Sequence, residues 1–171
     1  MDDTTEFRKF TRNELAAQIL RDSGKLRFRA TGSSMLPEIR PGDVLMVHRR
    51  GISEIQPGDI VFFSCYGGVV AHRVKFASPD HLTAQGDTAH SADPAVTAEN
   101  ILGLVVSIER DSHSFVPSRR LGLLSRVTSA VLRRSDFAMR IWLAGWIRIR
   151  SLRNSSKPQL HTVSSSLTTP L

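Results

Sequence analysis

Cysteine is almost missing from this chain: Cys65 is the only one in 171 residues. A lone thiol excludes an internal disulfide framework and any cysteine-rich zinc site. Lysine is scarce too. Of 23 basic side chains only Lys9, Lys25, Lys75 and Lys157 are lysines, so few positions offer an amine for catalysis. Aromatic residues make up 6%. No uncharged apolar run approaches the roughly 18 residues that a membrane-crossing helix needs. The opening Met1-Asp2-Asp3 is acidic and lacks the hydrophobic stretch of a secretory signal. The expectation is a protein with neither signal peptide nor spanning helix, cytoplasmic or peripheral at a membrane.

What is present is enough for a core. Hydrophobic residues are 40% of the chain, which excludes disorder throughout. The length suits one domain with an appendage. The net charge of +7 is unevenly spread: residues 1–116 are slightly acidic, whereas residues 117–153 hold nine arginines against Asp136 alone. The basic segment therefore needs its own explanation.

Thr11-Arg12-Asn13-Glu14 has the capping-box pattern, and Leu15, Ala16, Ile19 and Leu20 follow at helical spacing before Gly24. This predicts a helix over about 12–22. Beyond it the period changes. Leu26–Thr31, Val44–His48, Ile60–Cys65, Gly68–Phe76 and Ile101–Glu109 are alternating or β-branched runs bounded by Pro, Gly, Asp and Asn. Two of them follow the same tripeptide, Pro41-Gly42-Asp43 and Pro57-Gly58-Asp59, which reads as a turn into a strand. Those two strands are apolar throughout, which predicts burial on both faces. The fold class is mainly β. A compact, mostly antiparallel domain over 26–116 follows an N-terminal helical segment over 1–25. A basic amphipathic helical segment over 117–153 and a Ser/Thr-rich tail over 154–171, read as disordered, complete the chain.

Three segments carry candidate chemistry. Thr31-Gly32-Ser33-Ser34-Met35-Leu36-Pro37 joins a strand to a loop of small residues. A serine on such a turn can present its hydroxyl beside backbone N–H groups that point at one spot. The same residues also make an ordinary turn. Val69-Val70-Ala71-His72-Arg73-Val74 places a polar His72 on the face of Val70 and Val74, where it suits a general base or a satisfied core histidine. Gln85-Gly86-Asp87 through Asp93-Pro94 offers two carboxylates in one loop. Either can orient an imidazole, and both also belong to turn dipeptides. His72, His81, His90 and Asp87 match no zinc spacing, so no metal is expected.

Taken in order, Gly32-Ser33-Ser34-Met35-Leu36-Pro37, the two Pro-Gly-Asp turns, Ala71-His72-Arg73-Val74 and Gly86-Asp87 with Asp93 resemble the signal peptidase I family. More broadly they resemble the S24/S26 superfamily that it shares with LexA-type self-cleaving repressors. The likeness covers about residues 26–109. Within that superfamily a lysine is the usual bacterial base. The archaeal, endoplasmic-reticulum and SipW-like signal peptidases have histidine instead, and this chain has His72 at that place. The resemblance implies Ser34 as nucleophile, His72 as general base and Asp93 as orienting carboxylate. It further implies Asp87, Gly32 and Ser33 in support, and Met35 and Pro37 along the substrate groove.

The implied function is a serine endopeptidase that cleaves precursor proteins or peptides through an acyl-enzyme, with no cofactor. The alternatives are a LexA-like peptidase that cleaves itself or one partner, and a non-catalytic interaction module of the same fold. Arg119, Arg126, Arg133 and Arg140 recur every seven residues, a spacing that puts them on one stripe of a helix, with Trp142 and Trp146 nearby. The segment 119–150 is therefore a candidate for an anionic membrane surface. A helix docked on the β domain is the rival, and nucleic acid is the least favoured partner.

Overall fold

The computed structural model describes residues 14–65, 67–120 and 127–128. All of them belong to one unit, Met1–Arg134; a second unit, Ser135–Leu171, lies outside the described residues. The fold is mainly β. Eight strands form one antiparallel sheet: β1 (Lys25–Arg29), β2 (Val44–His48), β3 (Ile60–Cys65), β4 (Gly68–Ala77), β5 (His81–Gln85), β6 (Val96–Thr97), β7 (Ile101–Arg110) and β8 (His113–Phe115). Their order is β1-β2-β7-β3-β4-β5-β6, with β8 on β7. The five expected strands are all present. β5, β6 and β8 are additional, and β5 alternates half-buried with buried residues along its length.

Two apolar clusters pack on the sheet. Ile60 and Phe62 of β3 belong to one, and Val61 and Phe63 to the other. β3 is thus covered on both faces, as its continuous apolar run predicts. β2 is less enclosed: Leu45 and Val47 are buried while Val44, Met46 and His48 are half-buried. The helix is described over residues 14–23, and its Ala16 and Leu20 join the first cluster. Their 4-residue spacing puts both on one helix face, and burying a leucine fully contributes ~1.5–3 kcal/mol. The boundary expected at residue 25 therefore separates elements that share a core. The Thr11 cap lies outside the described residues.

The repeated tripeptide forms the same turn twice. Asp43 N–H donates to Arg40 O at 3.0 Å, and Asp59 N–H to Gln56 O at 3.1 Å. Gly42 and Gly58 take φ of 93° and 96°, the left-handed conformation that a type II turn requires at its third residue. Each aspartate side chain then accepts the first residue's N–H, Arg40 into Asp43 and Gln56 into Asp59. The two aspartates also receive arginines, Arg110 on Asp43 and Arg119 on Asp59.

Candidate active site

The strand β4 presents consecutive side chains to opposite faces, because the strand period is two. His72 pairs in register with Val61 of β3, and Phe63 meets the imidazole edge-on at 6.1 Å between ring centres. The His72 side chain is 11% exposed and Asp93 is 13% exposed, so the pair is largely shielded from water. Ser34 sits on the turn after β1, half-buried.

These three residues form one chain of hydrogen bonds. Ser34 Oγ lies 2.9 Å from His72 Nε2, and His72 Nδ1 lies 2.7 Å from Asp93 Oδ2. A carboxylate only accepts, so Nδ1 carries the proton and donates to Asp93. In the neutral ring Nε2 is then the acceptor, and the Ser34 hydroxyl donates to it. The sequence expectations for Ser34, His72 and Asp93 thus converge on one geometry. A base within hydrogen-bond reach of the hydroxyl, itself oriented by a carboxylate, can take the serine proton as the oxygen attacks a carbonyl.

The Ser34 turn is held by the loop after β5. Thr88 N–H donates to Ser34 O at 2.9 Å, and the Thr88 hydroxyl lies 3.2 and 3.1 Å from the carbonyls of Ser33 and Ser34. Gly86 permits this approach. A Cβ at Gly86 would stand 2.8 Å from Ser34 O and 2.9 Å from Ser34 Cβ. Asp93 N–H donates to Ala84 O, which fixes the far end of the loop on β5. Gly86 belongs to a motif that carries the resemblance, but its contact with the Ser34 turn, and that of Thr88, is not legible in the sequence. A Gly-Asp pair reads as a turn, and nothing local reveals that the turn touches a serine 52 positions earlier.

Asp87, which the resemblance implies as a supporting carboxylate in the same loop, faces Arg73. Its two oxygens accept from Arg73 Nε and Nη2, both at 2.9 Å, in a bidentate pair whose side chains are 0% and 4% exposed. Arg73 follows His72, so the strand turns it to the other face. There Arg73 Nη1 also donates to Gly58 O and Ser118 O.

A cleft of about 150 Å³ opens beside Ser34 and His72, lined among others by Gly32, Met35, Phe62, Val69 and Ala71. Met35, implied along the substrate groove, is one of the residues that line this cleft. Pro37 is half-buried and is not among the residues that line this cleft. Ser33 contributes its carbonyl to the Thr88 contact. Lys75 is exposed on β4. Among the described residues no group of three metal-ligating side chains gathers, and His81 bonds Ser78 instead.

Arg119 does not extend a helical stripe. It belongs to the loop after β8 and pairs with Asp59, Nε to Oδ1 at 2.6 Å. Arg126, Arg133, Arg140, Trp142 and Trp146 lie outside the described residues, as does the expected tail over 154–171. No helix among the described residues is long and apolar enough to cross a membrane.

The family described as Peptidase S24-like matches residues 7–106, a span that takes in the helix, Ser34, His72 and Asp93. The chain belongs to that family. No curated protein matches it.

Proposed function

We propose that the protein is a serine endopeptidase of the Ser/His type, resembling signal peptidase I, in which Ser34 is the nucleophile, His72 the general base and Asp93 the orienting carboxylate. The observation that carries this reading is the relay from Ser34 Oγ to His72 Nε2 at 2.9 Å and from His72 Nδ1 to Asp93 at 2.7 Å. His72 takes the serine proton while Oγ bonds to the carbonyl carbon. The proton then passes to the amine as the C–N bond breaks. Water, deprotonated by the same imidazole, releases the acyl group. The apolar cleft beside Ser34 suits a peptide with an uncharged side chain at the cut, held in extended form.

Mass spectrometry of the purified protein incubated with signal-bearing precursors tests this. Defined fragments from the wild-type protein and none from Ser34→Ala are expected. Equal fragmentation by both would remove Ser34 from the role. The same spectra separate the self-cleaving alternative, which would shorten the protein's own mass in the absence of precursor.

A further inference from the structure

Ser118 and Arg119 lie in the loop just past β8. Ser118 N–H donates to Glu38 Oε1 at 2.9 Å, and Glu38 lies on the same turn as Ser34. Ser118 O accepts from Arg73 Nη1 at 2.6 Å, and Arg73 is the neighbour of His72 in β4. One residue thus joins the nucleophile's turn through its N–H and the base's strand through its carbonyl. Arg119 secures the dipeptide on the second Pro-Gly-Asp turn, through Asp59 and through Gln56 Oε1 at 2.9 Å. The contact there is backbone on backbone: a Cβ at Gly58 would stand 2.4 Å from Arg119 O.

Arg73 is the node common to two grips on the turn. Through Asp87 it holds the loop whose Thr88 bonds the Ser33 and Ser34 carbonyls. Through Ser118 it reaches Glu38, at the other end. Glu38 O is fixed in addition by Arg110 Nη2 at 2.8 Å. A turn gripped at one end can pivot, and a displacement of about 1 Å at a nucleophile can cost about 100-fold in rate.

We propose that Ser118-Arg119 is a buckle that keeps the Ser34 turn in register with the His72 strand, with Glu38 and Ser118 as positioning residues for acyl transfer. The proposal rests on the catalytic reading above. It concerns residues that neither touch substrate nor belong to the hydrogen-bonded relay.

The test uses the full chain and an alkyl fluorophosphonate. Ser34 Oγ bonds to phosphorus, fluoride leaves, and the serine proton passes to His72. Labelling at several probe concentrations separates probe affinity, KI, from the rate of bond formation, kinact. Glu38→Ala should lower kinact about tenfold or more while KI stays within about twofold, because the turn is misplaced and the cleft is intact. Glu38→Gln keeps an acceptor oxygen for Ser118 N–H and should return kinact to within about threefold of wild type. Arg119→Gln, which loosens the dipeptide from outside the turn, should lower kinact with KI unchanged, and serves if Glu38→Ala does not fold. Wild-type kinact in Glu38→Ala or in Arg119→Gln, or a Gln variant as slow as the Ala variant, overturns the buckle. Failure of the wild-type protein to label at all would instead overturn the catalytic reading, and the buckle with it.

Discussion

Gly86 shows how one missing side chain governs the site. Its Cα hydrogen faces the Ser34 carbonyl and Cβ at a distance where a methyl group would stand inside contact range. Gly86→Ala is expected to destabilise the fold by about 1–3 kcal/mol through overpacking. It should slow acylation of Ser34 far more than that loss of stability would suggest, because the strain falls on the nucleophile. Urea unfolding read beside labelling kinetics checks both. In the proposed mechanism Asp93 acts through orientation. Asp93→Asn leaves a group of the same shape that can donate to Nδ1, which moves the imidazole proton to Nε2 and removes the acceptor for Ser34. Acylation should fall by on the order of 10³–10⁴-fold with the thermal midpoint little changed. A loss of less than about tenfold would show that His72 keeps its tautomer without Asp93.

At the scale of elements, β4 is divided between chemistry and structure. One face supplies His72 to the relay, and the next residue, Arg73, supplies the buried guanidinium that ties the 57–59 turn, the 86–88 loop and Ser118 together. Asp87→Ala strands that guanidinium without its carboxylate and should cost about 3–5 kcal/mol of stability, measured by chemical denaturation. A loss below about 1 kcal/mol would mean that the carbonyls of Gly58 and Ser118 satisfy Arg73 alone. Much of this element was legible in the sequence. A histidine between Val70 and Val74 marks a polar group on an apolar face, and alternation places Arg73 opposite. The burial of Arg73 was not legible, since arginine is ordinarily exposed and its partner lies 14 residues on. Two carboxylates shared one loop, and only the folded chain shows that Asp93 faces the imidazole while Asp87 faces Arg73. β5 itself carried a signal, the alternation of His81-Leu82-Thr83-Ala84-Gln85. The sevenfold arginine spacing misled at its first member, because periodicity does not show where a helix begins: Arg119 is still in the loop and committed to Asp59.

For the whole molecule, the charge of +7 arises wholly after residue 116, since the residues before it are net acidic. The full chain is expected to float with anionic vesicles at low salt and to be released as salt rises, since each arginine near such a surface contributes on the order of 1 kcal/mol. Arg119→Gln should leave that binding within about twofold, because this guanidinium is already paired, whereas Arg133→Gln with Arg140→Gln should weaken it clearly. Equal loss from both changes would place Arg119 at the surface and contradict its assignment to Asp59.

The proposed function turns on one arrangement, a serine hydroxyl held against a histidine in a chain of the Peptidase S24-like family. Locating a fluorophosphonate adduct by peptide mass spectrometry tests that arrangement most directly. A single adduct on Ser34 is expected, absent in Ser34→Ala, suppressed by orders of magnitude in His72→Ala and unaffected in Lys75→Ala. Labelling that persists in His72→Ala but disappears in Lys75→Ala would contradict it and assign the base to lysine.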